Sequence, residues 1–388
     1  MKINPSSEKQ DNLRVCYFGT YRANYARNQI LIAGLQSQGI EVIECHETLW
    51  QSVDDRVNTA SGGWLHPKFW GRVISTYSSL LRHYRRVGDY DVLMVGYPGH
   101  FDVFLAWILA KIRRKPLAWD ALNSLFLITT ERGIMECSPL TVKLIRQIER
   151  WACLLPDMLF LDTQAFVDWF SETHCIPTEK FRLIPIGVDE RFFSPLEKKI
   201  SDGTFRVIYY GSYIPNHGVE YIVQAAKLLE DDTSIHIEMI GSGPKQPEAH
   251  RLAAELQIKN LNFVDWLERE ELVEHIANAD LVLGAFGTTR QLELTNNNKI
   301  YEGFAMRKPV ISGNSPALPK VLQHGVHVYL CQRGSPQSLA DGIRALKAQP
   351  VLMEALVSNG EQIVYQYFDT YSIGKQAAGH IKELIGLK

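Results

Sequence analysis

The strongest constraint on how this chain folds is an alternation, run twice in succession, of short apolar runs with amphipathic stretches of about 10 to 18 residues. An apolar run of this length is buried on both faces only in a sheet covered by helices, so the pattern predicts βα units on parallel sheets. The first series places strands at 13–18 (LRVCYF), 41–45, 91–96, 116–120, 157–162 and 181–187. The second places them at 205–211, 234–241, 260–265, 280–286, 308–313 and 327–331. At 189–204 the stretch DERFFSPLEKKISDGT is polar, contains Pro and Gly, and has no periodicity, which reads as a linker. The expectation is an α/β protein of two doubly wound parallel-sheet domains facing a central cleft. It assigns 1–12 to a disordered N-terminal segment, 13–190 to the first domain, 191–204 to the linker and 205–350 to the second domain. Two amphipathic stretches, 351–366 and 371–387, make up a final helical segment, 351–388, that packs outside the domains or crosses back to the first.

Length agrees with this division, since 388 residues at about 150 per domain is room for two. Forty-one basic and 43 acidic residues leave a formal charge of −2, so no overall field draws the chain to nucleic acid. The six cysteines (Cys16, Cys45, Cys137, Cys153, Cys175, Cys331) show neither a C-x-x-C pair nor zinc spacing, and read as buried reduced thiols. The N-terminal MKINPSSEKQDN lacks an apolar core, and the longest apolar run, 101–112, is too short to span a bilayer and contains Asp102 and Lys111. A cytoplasmic protein is expected, with association at the inner face of the membrane left open.

Ligands of open parallel sheets bind beyond the carboxyl ends of the strands, so the residues that follow strands carry the functional signal. The first strand runs into FGTYRANYARNQ, with Gly19 at the turn and a helix beginning near Tyr25 or Ala26. This is not the G-x-G-x-x-G dinucleotide fingerprint, which counts against a dehydrogenase. A glycine turn before a helix N-terminus suits a phosphate or sugar, with Arg22 and Arg27 adding charge; a plain βα turn with two solvated arginines would read the same. The second domain opens likewise with Gly211, Ser212 and His217-Gly218, and MIGSGP places Gly241 in another tight turn beside the same crevice. In LGAFGTTRQLELTNNNKIYEGFAMRKPVISG (283–313) a polar loop ending at Asn298 leads into a helix where Lys299 and Glu302, three apart, share a face. A helix N-terminus with a lysine suits a diphosphate, and a carboxylate one turn on can accept hydrogen bonds from two ribose hydroxyls. A surface ion pair has the same spacing, but Ile300, Phe304, Ala305 and Met306 mark the rest of this helix as buried. The one D-x-D, Asp89-Tyr90-Asp91, reads as a solvated turn, and no metal is expected.

These segments resemble those of the retaining GT-B glycosyltransferases of family 4. IPIGVDERFFSP (184–195) is similar to that family's I-P-N-G-V-D-x-x-x-F-x-P junction, and NNKIYEGFAMRKPVISG to its donor-site helix. The resemblance covers about 13–385 and implies the GT-B fold, two Rossmann-like domains facing a cleft. It implies Glu302 on the donor ribose, Asn298 and Lys299 at the diphosphate, and Gly19 near the phosphate and transferred sugar. Gly211 and Ser212 fall in the first phosphate turn of the second domain, while the backbone at Trp266 and Leu267 meets the nucleobase. Two departures stand out. The family's G-R-L and K-G segments are Gly211-Ser212-Tyr213 and His217-Gly218 here, removing both usual phosphate cations. The first glutamate of its E-x7-E pair falls on Leu294, beside Glu293. Phosphate charge then rests on Lys299, Arg290, His217 and helix N-termini. Asp120 and His100, each just past a first-domain strand, are candidates for sugar contact or proton handling, or alternatively helix caps.

The implied activity is metal-independent, retaining transfer from a nucleotide sugar, UDP-linked by family expectation, to a glycan, lipid-linked or small-molecule acceptor in envelope or exopolysaccharide synthesis. The rivals are a nucleotide-sugar epimerase of the same fold and a non-catalytic nucleotide-sugar binder. Between Asp55 and Asp89 no acidic residue occurs, while Lys68, Arg72, Arg82, Arg85 and Arg86 accompany Trp64, Leu65, Trp70 and Tyr77. The stretch 64–86 is thus a candidate peripheral membrane contact, or equally a long helix with its aromatics in the core.

Overall fold

The computed structural model describes residues 13–49, 67–131, 139–200 and 202–387. The segment 1–12, Trp64, Leu65 and Cys137 lie outside the described residues. Six strands, β1 (Arg14–Gly19), β2 (Glu41–His46), β3 (Val92–Val95), β4 (Leu117–Asp120), β5 (Met158–Leu161) and β6 (Phe181–Leu183), form one sheet in the order β2-β1-β3-β4-β5-β6. Six more, β7 (Phe205–Tyr210), β8 (Ile235–Ile240), β9 (Leu261–Val264), β10 (Leu281–Leu283), β11 (Val310–Gly313) and β12 (Tyr329–Cys331), form a second in the order β12-β11-β10-β7-β8-β9. The pairs from β2 through β5 in the first sheet and all pairs of the second are parallel. Every residue of β3, β4 and β5 is buried, which is why these strands read as continuous apolar runs.

One device recurs where strands begin. Asp91, Asp157 and Asp280 each precede a strand, and each donates its N–H to the carbonyl of the first or second residue of the neighbouring strand: Arg14, Leu117 and Arg206. Each carboxylate accepts that residue's N–H in return, at 2.8, 2.8 and 2.9 Å. The exchange satisfies a donor that the ladder would leave open and pins the register at β1/β3, β4/β5 and β7/β10. Asp91, in the D-x-D, therefore serves the sheet, and its companion Asp89 pairs with Lys115 at 3.3 Å.

The chain divides into two compact units. The first comprises the described residues of Met1–Asn123, Ile148–Phe160 and Gly374–Lys388, and the second Ser124–Gln147 and Leu161–Ile373. They do not part at 191–204. Residues following β5 belong with the second unit because the Thr163 hydroxyl donates to the Leu294 carbonyl and the Asp162 carboxylate accepts the Asn296 N–H. The C-terminal helix Thr370–Leu384 lies mostly in the first unit, where Gly374 packs on the helix Ala26–Ser37. A Cβ at Gly374 would fall 2.1 Å from the Gly34 carbonyl oxygen, so only glycine permits that approach. Part of the expected linker is seated too: Phe193 is buried, and Lys199 and Ile200 donate their N–H groups to the Asn278 side chain.

Cys16, Cys45, Cys153 and Cys331 are free and buried, as their spacing suggests. Cys175 is exposed instead, because it ends the helix Gln164–His174 in a left-handed conformation. Among the described residues no helix is long and apolar enough to cross a membrane.

Candidate active site

The second sheet reverses its strand order between β7 and β10, so a ligand crevice is expected beyond the carboxyl ends of those two strands. β7 ends at Gly211, whose φ of +120° suits glycine. A Cβ there would lie 3.3 Å from Lys299 Cε and 3.4 Å from Nζ, so the lysine lies over this turn. Gly241, past β8, would place a Cβ 2.0 Å from the Gly211 carbonyl oxygen, locking the two turns together.

Lys299 stands in the first turn of the helix Asn298–Ala305, whose Ile300, Tyr301, Phe304 and Ala305 fill the core. The side chain is carried inward with them: Lys299 is 5% exposed and Glu302 9%. Its ammonium lies 5.1 Å from the centre of the Tyr209 ring, a cation–π contact. Among the described residues no carboxylate lies within ion-pair distance of it. Burial lowers the Lys299 pKa to about 8, with Glu302 opposing the shift. Burial raises the Glu302 pKa, opposed by the charge of Lys299, by Tyr210 and by Arg269. The two groups face a common interior without neutralising one another at contact distance.

The loop before the helix is equally open. Asn297, at the N-cap position, makes no side-chain cap, so the first N–H groups of the helix are unclaimed by it. Both polar atoms of the Asn296 amide and the Oδ1 of Asn297 are buried without hydrogen-bond partners. Asn298, half-buried, occupies the first turn beside Lys299. A buried cation, a helix N-terminus without a side-chain cap and orphaned amides are the elements of a site suited to an oxyanion.

Other sequence candidates are engaged differently. His217 is not a cation. Burial, then the charge of Lys299, holds its pKa well below the ordinary value. Its Nδ1 is 2.6 Å from the Ser212 carbonyl oxygen, an acceptor, which assigns the proton to Nδ1 and leaves Nε2 as an acceptor. The Ser212 carbonyl also receives the Tyr209 hydroxyl at 2.9 Å, so His217 and Ser212 shape the turn and hold the ring beneath Lys299. Arg290 pairs with Glu293 at 2.7 Å, and Arg333 joins the same carboxylate at 3.1 Å. Those two cations hold the Glu293 pKa below its usual range. Leu294, one residue on, is buried. Trp266 follows β9 and is 56% exposed, with Leu267 half-buried behind it.

In the first sheet the order reverses between β1 and β3. The turn at Gly19 already holds an internal anion: Asp102 accepts the Thr20 N–H at 2.7 Å, the Thr20 hydroxyl at 3.0 Å and the Tyr77 hydroxyl at 2.7 Å. A Cβ at Gly19 would lie 2.7 Å from the Asp102 carboxylate. His100 is 7% exposed, with Nε2 3.1 Å from the Asn123 carbonyl oxygen and 3.3 Å from the buried Glu149 carboxylate. Asp120 does not offer a face to a sugar. It is fully buried in a forked ion pair with Arg27 at 2.9 to 3.2 Å, which also removes Arg27 from the cations available to a phosphate. Sequence reasoning missed Asp102, Tyr209, Tyr210 and Arg333. The two tyrosines read as strand core, and the other two carry no motif.

Among the described residues no group of three or more His, Cys, Asp or Glu is placed to hold a metal ion. Residues 204–349 match the family of glycosyl transferases group 1. The fold is shared with HepE of Anabaena, crystallised with UDP-glucose, at a TM-score of 0.68, 16% identity and coverage of 96% of this chain and 100% of that one. It is shared with a sucrose-phosphate synthase of Thermosynechococcus elongatus at a TM-score of 0.71, 15% identity and coverage of 97% and 100%. An MMP α-(1→4)-mannosyltransferase of Mycolicibacterium hassiacum is 22% identical over 61% of this chain and 56% of its own length. The chain spans about half the length of the curated relatives it matches. The region 204–349 thus matches the glycosyl transferases group 1 family, and the chain as a whole shares the two-sheet GT-B fold of these solved structures.

Proposed function

We propose that the chain is a retaining glycosyltransferase that takes its sugar from a UDP-linked donor. The observation that carries this reading is the buried Lys299 ammonium, without a carboxylate at contact distance, over the Gly211 turn and one helical turn from Glu302. In this reading the diphosphate occupies the space between Lys299, the Gly211 turn and the N-terminus of Asn298–Ala305, and the ribose hydroxyls donate to Glu302. The nucleobase lies near Trp266 and Leu267. HepE, which shares the fold, binds UDP-glucose, and this supports the choice of nucleotide.

Chemically, the bond from the anomeric carbon to the diphosphate oxygen breaks while the acceptor oxygen bonds to the same face of that carbon. The acceptor's proton passes to the departing phosphate. Charge grows on the leaving oxygens, so the helix N–H groups and Lys299 act where it develops; losing one such donor typically costs about 2.7 to 4 kcal/mol of transition-state stabilisation. Because Lys299 is desolvated before the donor arrives, its field is already oriented. His100 is the remaining first-unit candidate for acceptor contact, its ring held by Asn123 and Glu149.

Thermal denaturation with UDP, UDP-sugars and other nucleotides tests the reading. UDP should raise the melting temperature by mass action, and Glu302→Ala should remove most of that rise while leaving the unliganded temperature nearly unchanged. No shift with any nucleotide would sink the proposal. A shift without UDP release across an acceptor panel would leave a binder, the reading that Leu294 and the paired Glu293 favour.

A further inference from the structure

The helices covering one face of the first sheet present a surface that donor binding does not use. The steps from β2 to β3, β3 to β4 and β4 to β5 all move the same way along the sheet, so right-handed crossovers put their helices on one face. Two of these helices are joined directly. Tyr77 of Pro67–Tyr84 donates to Asp102 of Asp102–Arg113, and the Arg113 guanidinium lies 4.6 Å from the centre of the Tyr84 ring. The third crossover reaches the first unit through 148–154, the end of the helix Pro139–Leu154.

Each helix leaves large apolar side chains in solvent. Trp70 is 51% exposed and Ile74 65%, Ile108 49% and Ile112 73%, and Trp151 55%. Single exposed apolar residues need no explanation, but here they recur across neighbouring helices. Lys68, Arg85, Arg86, Lys111 and Arg114 have no carboxylate partner among the described residues. The three segments 67–88, 101–115 and 148–154 contain only two acids, Asp102 and Glu149, and both are buried. The acids at the margin are already taken, Glu47 by Ser79 and His83 and Asp89 by Lys115. A surface of tryptophan and isoleucine among unpaired cations, whose nearby exposed carboxylates Glu41, Glu44 and Asp89 lie on the edge strand β2 and in the turn before β3, complements an apolar layer topped by negative charge.

We propose that this helical face of the first unit docks on an anionic lipid bilayer. Trp70, Ile74, Ile108, Ile112 and Trp151 enter the headgroup region while the lysines and arginines meet lipid phosphates. The surface is wider than the stretch 64–86 alone, because the sheet topology brings 101–115 and 148–154 onto the same face. It is independent of the donor reading and survives or fails by itself.

The test is flotation of the full chain with phosphatidylcholine vesicles, with and without a third of phosphatidylglycerol. The protein should float with the anionic vesicles at low salt and stay behind with neutral vesicles or at high salt. Neutralising Arg85, Arg86 and Lys111 to Gln should weaken the partition on the order of a hundredfold, from about fivefold per cation near an anionic surface. Ile112→Glu should also weaken it. Since these side chains are exposed, both variants should keep the wild-type melting temperature, and any nucleotide-induced shift should match that of the wild type. Failure to float, or equal flotation of wild type and the neutralised variant, overturns the proposal. A dimer in sedimentation that Ile112→Glu disperses, without vesicle binding, would assign the face to a second copy of the chain instead.

Discussion

Lys299 is held at a cost to the unliganded protein. A lysine whose pKa falls to about 8 on burial penalises the charged folded state by on the order of 3 kcal/mol at neutral pH. The sign follows from proton binding: between about 8 and the unfolded value of 10.5 the unfolded chain binds more protons, so this penalty is relieved as pH rises. Lys299→Met should therefore stabilise the unliganded protein by about 1–3 kcal/mol in urea titrations near pH 7, and this gain should shrink toward pH 10. The same variant should lose the response to UDP. In the wild type, UDP affinity measured calorimetrically should fall as pH rises past 8, approaching tenfold per pH unit while only the free protein loses the proton. An affinity flat from pH 7.5 to 9.5 would detach Lys299 from the anion. Asp120 has the opposite character. Its ion pair with Arg27 has exposures of 0% and 4%, so Asp120→Ala leaves a buried guanidinium without its carboxylate and should cost about 3–5 kcal/mol in denaturant unfolding. A loss below about 1 kcal/mol would contradict the structural role. The two residues differ in legibility for a physical reason: Lys299 and Glu302 share one helix turn, whereas Arg27 and Asp120 are 93 positions apart and meet only in the folded sheet.

At the scale of elements, the inner strands β3, β4, β5, β10 and β11 were legible because burial on both sides writes a short apolar run into the sequence, while the partly exposed outer strands were found from the alternation around them. Their partners were not. Asp91, Asp157 and Asp280 stand visibly before apolar runs, yet the N–H each receives comes from 77, 40 and 74 residues away. Asp157→Ala removes the acceptor for Leu117 N–H at the start of β4 and should cost about 1–2 kcal/mol, read as a lower denaturation midpoint with an unchanged denaturant slope. Asp157→Asn, which keeps an acceptor oxygen, should recover part of that loss. Equal loss in both variants would point to the charge rather than the hydrogen bond. The site shows the same division between letter and geometry. The glycine turns and the Lys299–Glu302 helix follow strands and could be found by position, while Tyr209 and His217 act through a shared contact at the Ser212 carbonyl. Their chemistry reversed the expected role of His217, from cation to neutral partner, because burial and the nearby ammonium both oppose a second positive charge.

For the whole molecule the informative fact is that the chain leaves its first unit and comes back. The described residues up to Asn123 and 148–160 supply β1 to β4 and most of β5, and those of Gly374–Lys388 return to cover them, while β6 falls in the second unit. Ile373, at the join, and Ala377, Ala378 and Ile381 in the returning helix are buried, and Phe160 meets His380 at 6.2 Å between ring centres. Lys299, Glu302 and the turns at Gly211 and Gly241 belong to the second unit. On the proposed reading, ligand and C-terminal helix act on different units, and calorimetry can read them separately. Two unfolding transitions are expected. UDP at a hundred times its dissociation constant should stabilise only the second unit, by about 2.7 kcal/mol. Removing Gly374–Lys388 uncovers apolar side chains in the first unit and should lower or abolish only its transition, leaving the UDP-sensitive one in place. If UDP instead moves a single transition of the entire chain, the two units unfold as one cooperative body. The returning helix would then stabilise the nucleotide site as strongly as the sheet it covers, and its removal should weaken UDP binding along with stability.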